Sequence, residues 1–144
     1  ALTRSTPTEL SVGRFYLAAT SVGDYALFGG GCNNRDNSLS VNTVDAYNKA
    51  LTRSIPTSLS VSRLSLAATS VGDYALFGGG SHMFSNIYST VDAYDELLTH
   101  SIPTILSAAR HSLKATSVGD YALFGGGNTS STVRTTTVDV YKVT

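Results

Sequence analysis

The 144-residue sequence has no tryptophan, three prolines and a single cysteine. One cysteine, Cys32, excludes a disulfide within the chain, and the residues around it do not have the spacing of a metal site. Charged residues make up 14% of the chain, with ten of each sign and no basic run. This balance argues against nucleic-acid binding through phosphate neutralisation. Apolar runs are shorter than the ~18 residues that span a bilayer, so we expect no membrane insertion.

Repetition is the main feature that the sequence does contain. The segment ATSVGDYALFGGG occurs three times without a change, at Ala19–Gly31, Ala68–Gly80 and Ala115–Gly127. A Leu-Thr-Arg/His-Ser-x-Pro segment precedes each copy, and Val-Asp-x-Tyr follows it. Because these matches stay in register, we divide a single domain, residues 1–144, into the repeats 2–50, 51–97 and 98–144.

Each repeat is predicted to form four short strands. In the first repeat, Arg14–Val22 is rich in apolar and β-branched residues, and Gly23–Asp24 suits a tight hairpin turn. The apolar run Tyr25–Phe28 is typical of a strand covered on both faces. Apolar and polar residues then alternate in Thr43–Tyr47 and in Leu51–Ile55. No window has helical spacing, so we predict an all-β fold.

Three features recur at matching places in every repeat: an arginine before the first strand, glycines after the second and a tyrosine in the third. This combination resembles the kelch repeat, and the likeness covers the whole chain. It implies β-propeller blades of four antiparallel strands. The chain departs from the family where a tryptophan is usual, because Ser54 and Ser101 stand there instead. The repeated structural positions are Arg14, Arg63, Arg110, Tyr47, Tyr94 and Tyr141.

The number of repeats predicts an assembly. Propellers close with about 4–8 blades, so an arc of three blades leaves two apolar faces and open strand edges bare. We predict a C2 homodimer that forms one six-bladed ring from two chains. In that ring the strand Leu2–Thr6 completes the partner's last blade, beside its third-strand segment Thr137–Val143. The alternative is that these residues are an excerpt from a longer chain that closes by itself.

The segments after the glycine triplets are the least alike parts of the repeats. They are Cys32–Asn42, Ser81–Ser89 and Asn128–Thr136. Variable loops on a constant scaffold are typical of a recognition module, here for a protein, peptide or glycan. The alternative is neutral drift in an unconstrained loop. Ligand-binding candidates in these loops are Asn33, Arg35, His82, Phe84 and Asn128.

Tyr16, Ser65 and Ser112 each follow the repeated arginine by two residues. Kelch-like proteins that bind peptides often use this position, so the resemblance makes these residues ligand-binding candidates as well; simple lining of the channel is the alternative. The repeated arginines are expected to bond backbone carbonyls or to bridge blades. Carboxylates are their plausible partners, because a buried guanidinium needs its charge satisfied. The carboxylates that recur beside the tyrosines are Asp45, Asp92 and Asp139.

Catalysis has little support in the sequence. The histidines His82, His100 and His111 fall at different places in their repeats, and no nucleophile motif is present. We therefore expect no enzyme, no catalytic residues, no cofactor and no metal. Three hypotheses follow: an interaction or scaffold module, a purely structural or engineered self-assembling propeller without a ligand, and an enzyme.

Overall fold

The structure, a computed structural model, describes residues 1–35, 39–83 and 85–144. All regular secondary structure within these ranges is β, which confirms the all-β prediction. The strands are β1 (Ala18–Val22), β2 (Tyr25–Gly29), β3 (Val44–Tyr47), β4 (Arg53–Ser54), β5 (Ala67–Val71), β6 (Tyr74–Gly78), β7 (Ser81–His82), β8 (Asn86–Ile87), β9 (Val91–Asp95), β10 (His100–Ser101), β11 (Lys114–Val118), β12 (Tyr121–Gly125) and β13 (Val138–Lys142).

The strands form three larger antiparallel sheets, each built mainly from one repeat. Sheet I has the order β1-β2-β3-β4, sheet II has β5-β6-β9-β10, and sheet III has β11-β12-β13. The short strands β7 and β8 pair separately within the second variable loop. Sheet II packs against sheet I on one side and against sheet III on the other.

The first hairpin of each sheet follows directly from the repeated segment. Val22 pairs with Tyr25 across Gly23–Asp24, and the same register occurs in the other two sheets. Gly23 has a φ of +52°, a conformation that glycine adopts without a steric penalty. The turn predicted from the glycine and the aspartate is therefore confirmed.

The fourth strands are shorter than the sequence pattern predicted. Only Arg53 and Ser54 pair with β3, although alternation extended over Leu51–Ile55. Leu51 has a φ of +59°, which breaks the extended backbone before β4 begins. In the described ranges sheet III has three strands, and residues 2–6 belong to none of the strands.

The two faces of a sheet pack against different neighbouring sheets. We call the face that carries Val22, Leu27, Val44 and Ala46 in sheet I the front face. The opposite face, called the back face, carries Leu66, Ala75, Phe77 and Tyr94 in sheet II. These two sets meet in one apolar core. The front face of sheet II meets the back face of sheet III in a second core, through the residues Val71, Leu76, Val91, Ala93, Leu113, Ala122 and Phe124. Front packs on back at both interfaces.

Candidate functional site

The repeated arginines hold each sheet together from inside. Arg63 donates from Nε to the carbonyl of Gly79 at 2.6 Å and from Nη2 to that of Phe77 at 3.0 Å. Its Nη1 lies 2.8 Å from Oδ2 of Asp92, and both side chains are fully buried. The guanidinium thus binds backbone carbonyls near the end of β6 and just after it. The same ion pair joins Arg14 to Asp45 and Arg110 to Asp139.

The buried carboxylate Asp92 is stabilised in its charged form. Burial alone raises its pKa, but the charge of Arg63 and hydrogen bonds from His100, Ser60 and Arg63 together hold the pKa below its usual value. His100 Nε2 lies 2.6 Å from Asp92 Oδ1. In sheet I the equivalent contact is longer, since Arg53 Nε lies 3.8 Å from Asp45 Oδ1. These groups form a structural network, as expected from the sequence.

Hydrogen bonds from the repeated tyrosines anchor the segment that precedes the first strand of each repeat. The Tyr94 hydroxyl donates to the carbonyl of Thr57 at 2.7 Å, and its ring meets Phe77 edge-on with 6.0 Å between centroids. Tyr47 and Tyr141 donate in the same way, to the carbonyls of Thr8 and Thr104. Each tyrosine therefore ties a connecting segment to the sheet of the same repeat.

Tyr16, Ser65 and Ser112 form a continuous row across the three sheets. The Ser65 amide donates to the Tyr16 carbonyl and the Ser112 amide to the Ser65 carbonyl, both at 2.9 Å. All three have φ between 54° and 58°, which is uncommon outside glycine. The structure brings these ligand-binding candidates together, and the left-handed backbone is a feature that the sequence did not predict.

The variable loops start beside this row. Isolated bridges link Phe15 to Cys32, Leu64 to Ser81 and His111 to Asn128, so each loop begins next to a residue that adjoins the row. The first two loops also touch each other, because Ser40 Oγ lies 2.6 Å from His82 Nδ1.

The ligand-binding candidates in the variable loops differ in how far they are exposed to solvent. Asn33 and Arg35 are exposed, His82 and Asn128 are half-buried, and Phe84 lies outside the described residues. Cys32 is buried and its thiol contacts the Asn34 carbonyl at 3.3 Å. In the ranges that the structure describes, no three histidine, cysteine, aspartate or glutamate side chains cluster as metal ligands. Over the same ranges, no helix is long and apolar enough to cross a membrane.

The front face of sheet III is bare although its residues match those buried elsewhere. Val118, Val138 and Val140 are 66%, 54% and 53% exposed. Their counterparts on sheet II, Val71, Val91 and Ala93, are between 0% and 6% exposed. These exposed valines lie on the two outer strands of sheet III, β11 and β13, and form an apolar surface of the kind that marks an interaction site.

The back face of sheet I is the other bare surface. Ala26 is exposed and Phe28 half-buried, whereas Ala75 and Phe77 are fully buried in sheet II. An apolar groove runs along this face between the sheet and the N-terminal segment, lined by residues that include Pro7, Leu10, Phe28, Tyr47 and Leu51. The apolar run Tyr25–Phe28 is thus covered on one face only, because sheet I lies at the end of the stack.

Glycines at the sheet interfaces show how closely the faces fit. A Cβ on Gly78 would lie 2.8 Å from the Phe124 ring, and a Cβ on Gly79 would lie 2.6 Å from the Arg110 carbonyl oxygen. On sheet III the equivalent Gly125 meets only Val138, at 3.6 Å. Among the described residues, no side chain of another sheet lies over Gly125. The invariance of the glycine triplet was the sequence signal for this fit.

Comparison with known proteins bears on the fold. No family model and no curated protein matches the sequence. Among the solved structures that resemble the chain is one described as "Structure of YjhT", with a TM-score of 0.78 and 15% sequence identity. The match covers 94% of this chain but 44% of that one. The likeness shows a shared fold, and the chain spans less than half the length of that structure.

Proposed function

We propose that the chain is a non-catalytic scaffold module, half of a kelch-like β-propeller, that closes into a six-bladed ring with a second copy of itself. Sheets I, II and III are the three blades of each half. The observation that carries the proposal is the bare front face of sheet III, whose counterparts on sheets I and II are buried against a back face.

In the proposed ring, the second bare surface covers the first. By the pattern of the two internal interfaces, the back face of a partner's sheet I, with its Phe28, packs on the front face of sheet III. Phe28 then takes the place over Gly125 that Phe124 takes over Gly78. Burying a valine side chain contributes roughly 1.5–3 kcal/mol, so Val118, Val138 and Val140 together favour a stable contact.

Backbone groups support the same arrangement. The Gly31 and Gly80 amides each donate to an arginine carbonyl on the next sheet, Arg63 and Arg110, at 2.9 Å. In residues 1–35, 39–83 and 85–144, no arginine carbonyl accepts from the Gly127 amide in this way. The carbonyl of Arg14 in a second copy is the equivalent acceptor.

Twofold symmetry closes the ring, because the two bare faces of one copy each meet the opposite face of the other. Lys114 also lies on the front face, where Ala18 and Ala67 stand in the other sheets. Its aliphatic stem can pack at the interface while the ammonium stays in water.

Light scattering on size-exclusion fractions at micromolar concentration tests the assembly. We expect the mass of a dimer for the unchanged chain and of a monomer for Val140→Asp. Val133→Asp is the matched control, since Val133 is equally exposed, at 53%, but lies in a variable loop. A folded monomer for the unchanged chain would contradict the proposal, as would a dimer that Val140→Asp leaves intact.

The loop surface favours a second role, recognition of a protein, peptide or glycan. Contact between Ser40 and His82 joins two variable loops, and the half-exposed ring of Tyr16 stands at the start of the row beside them. Native mass spectrometry of the purified protein tests this role through any co-purifying ligand. A mass above that of the dimer, lost in Tyr16→Ser, supports recognition. A ligand-free dimer that also fails to bind peptide and glycan arrays leaves a purely structural propeller.

A further inference from the structure

The basic residue on the fourth strand differs between the first two sheets. Sheet I has Arg53 at this position on β4, and sheet II has His100 on β10. An arginine keeps its charge at every physiological pH, whereas histidine is the side chain whose charge normally changes between pH 5 and 8. Two strands with the same place in their sheets therefore carry a permanent cation in one case and a titratable cation in the other.

His100 connects β10 to a buried carboxylate. Its Nε2 lies 2.6 Å from Oδ1 of Asp92, whose side chain is fully buried, while 16% of the His100 side chain is exposed. A charged carboxylate only accepts hydrogen bonds, so Nε2 carries the hydrogen of this bond. Strand β10 has two residues and pairs with β9 at two positions. With so short a backbone ladder, the bond to Asp92 has a large share in holding β10 in place.

We propose that His100 makes the outer strand of sheet II sensitive to pH, so that β10 opens more readily as the pH rises and the imidazole loses its charge. The neutral imidazole keeps the hydrogen bond to Asp92 without the ionic attraction, and a charge-assisted hydrogen bond is roughly twice as strong as a neutral one. An open β10 leaves the edge of β9 free to pair with another strand. The proposal goes beyond the ring, since it concerns contacts within one chain.

The groups around His100 keep a constant charge over the same pH range. Among the described residues, the charged or titratable groups that contact His100 are Asp92 and Tyr94, and Arg63 lies on the far side of Asp92. Burial raises the pKa of Asp92, but the charge of Arg63 and hydrogen bonds hold it below 3.8, so the carboxylate stays charged. Burial raises the pKa of Tyr94 well above its usual value of 10, so the phenol stays neutral. Between pH 5 and 8 the imidazole is thus the group in this cluster that changes its charge.

The corresponding contact in sheet I serves as an internal reference. Arg53 Nε lies 3.8 Å from Asp45 Oδ1, and Arg53 Nη1 donates to the Glu9 carbonyl at 2.6 Å. Strand β4 is thus held by a cation that also has a backbone acceptor. Because this cation does not titrate below pH 12, we expect the opening of β4 to be constant between pH 5 and 8.

Amide hydrogen exchange measured by mass spectrometry between pH 5 and 8 tests the proposal. Labelling from milliseconds to minutes covers the fast exchange of a short edge strand, and the rates are corrected for the intrinsic pH dependence of exchange. The reporters are peptide 98–103, which contains β10, and peptide 51–56, which contains β4. We expect the protection of the β10 peptide to fall roughly fivefold as the pH rises, and that of the β4 peptide to stay constant. Constant protection of β10, or an equal fall in both peptides, overturns the proposal.

Substitution at position 100 identifies the responsible group. His100→Arg gives sheet II the residue of sheet I and is expected to remove the pH dependence from the β10 peptide. His82→Asn is the matched control, because His82 is also half-buried and is bonded to another side chain, Ser40. A pH dependence that survives in His100→Arg, or that is lost in His82→Asn, contradicts the role of His100.

The reciprocal substitution transfers the pH response to sheet I. Arg53→His places an imidazole on β4 near Asp45, so the β4 peptide is expected to lose protection as the pH rises. A proton NMR titration of the unchanged chain gives an independent measurement, since the His100 signals, identified by their absence in His100→Arg, should shift between pH 5 and 8. An imidazole that keeps one charge state over this range overturns the proposal, as does a β4 peptide that stays insensitive to pH in Arg53→His.

Discussion

Phe77 on β6 covers Gly29 on β2 so closely that a Cβ at position 29 would lie 2.8 Å from the Phe77 ring. Phe124 covers Gly78 at the same distance. At each interface between sheets, the glycine that ends the second strand of one repeat therefore lies against the phenylalanine of the following repeat. Phe28 and Gly125 are the two members of this series without a partner among the residues that the structure describes. In the proposed ring these two residues pair between copies.

Alanine substitutions at two of these glycines distinguish internal packing from assembly. Gly78→Ala forces the Phe124 ring to move, and overpacking of this kind destabilises a fold by roughly 1–3 kcal/mol. Gly125→Ala has space within the chain, so we expect it to weaken dimerisation while the monomer stays folded. Urea unfolding and sedimentation velocity measure the two effects. Equal loss of folding stability in both variants would contradict this division.

The Arg63–Asp92 ion pair is expected to be essential for folding stability. Arg63→Met leaves Asp92 buried without its main counter-charge, and removal of one partner of a buried pair costs about 3–5 kcal/mol. Lys49→Met is the control, because the Lys49–Asp24 pair is exposed on both sides and should contribute little. Urea unfolding at one protein concentration compares them. Similar midpoints for the two variants would show that the buried network is dispensable.

The same network predicts that the folding stability of the chain decreases at acid pH. Because the pKa of Asp92 is lower in the folded chain than its ordinary value of 3.8, the charged carboxylate adds stability above that value. This stability is lost as the pH falls from about 4 through the folded pKa. Asp92→Asn should show a flatter dependence of the unfolding free energy on pH below pH 4 than the unchanged chain.

His111 predicts a second pH dependence closer to neutrality. Burial lowers its pKa from 6.5, because the folded chain disfavours the charged imidazole. The unfolded chain therefore binds the proton more readily, and stability is lost as the pH falls below 6.5. His111→Leu should flatten the unfolding midpoint between pH 7 and 5, since the equivalent Leu64 is fully buried. An unchanged slope in this variant would show that His111 is not the responsible group.

Much of the local structure could be predicted because it depends on residues close together in the chain. The turn at Gly23–Asp24 needs only a glycine with positive φ and two flanking apolar strands. The pairing of arginine with aspartate follows from the cost of an isolated buried charge. The shortness of β4 was missed, because the positive φ of Leu51 leaves no mark in the apolar pattern.

The candidate site was predicted less completely. Tyr16, Ser65 and Ser112 were identified by position, but their left-handed backbone and their linked amides arise from the stacking of three sheets. Contact between Ser40 and His82 joins loops 42 residues apart, which no local pattern reports. The two bare faces were expected in general terms from the number of repeats, and the structure identifies the side chains on them.

By itself, the sequence determined that three nearly identical units form antiparallel β-sheets with the same hairpin, the same buried ion pair and the same tyrosine. Only the tertiary structure decided which members of each identical set are covered. Val71 is buried and Val118 exposed although both close the same segment, ATSV. The physical reason is that the burial of a side chain depends on whether a neighbouring sheet covers it, and not only on the type of residue. Sheet II has a neighbour on both faces, whereas sheets I and III each have one.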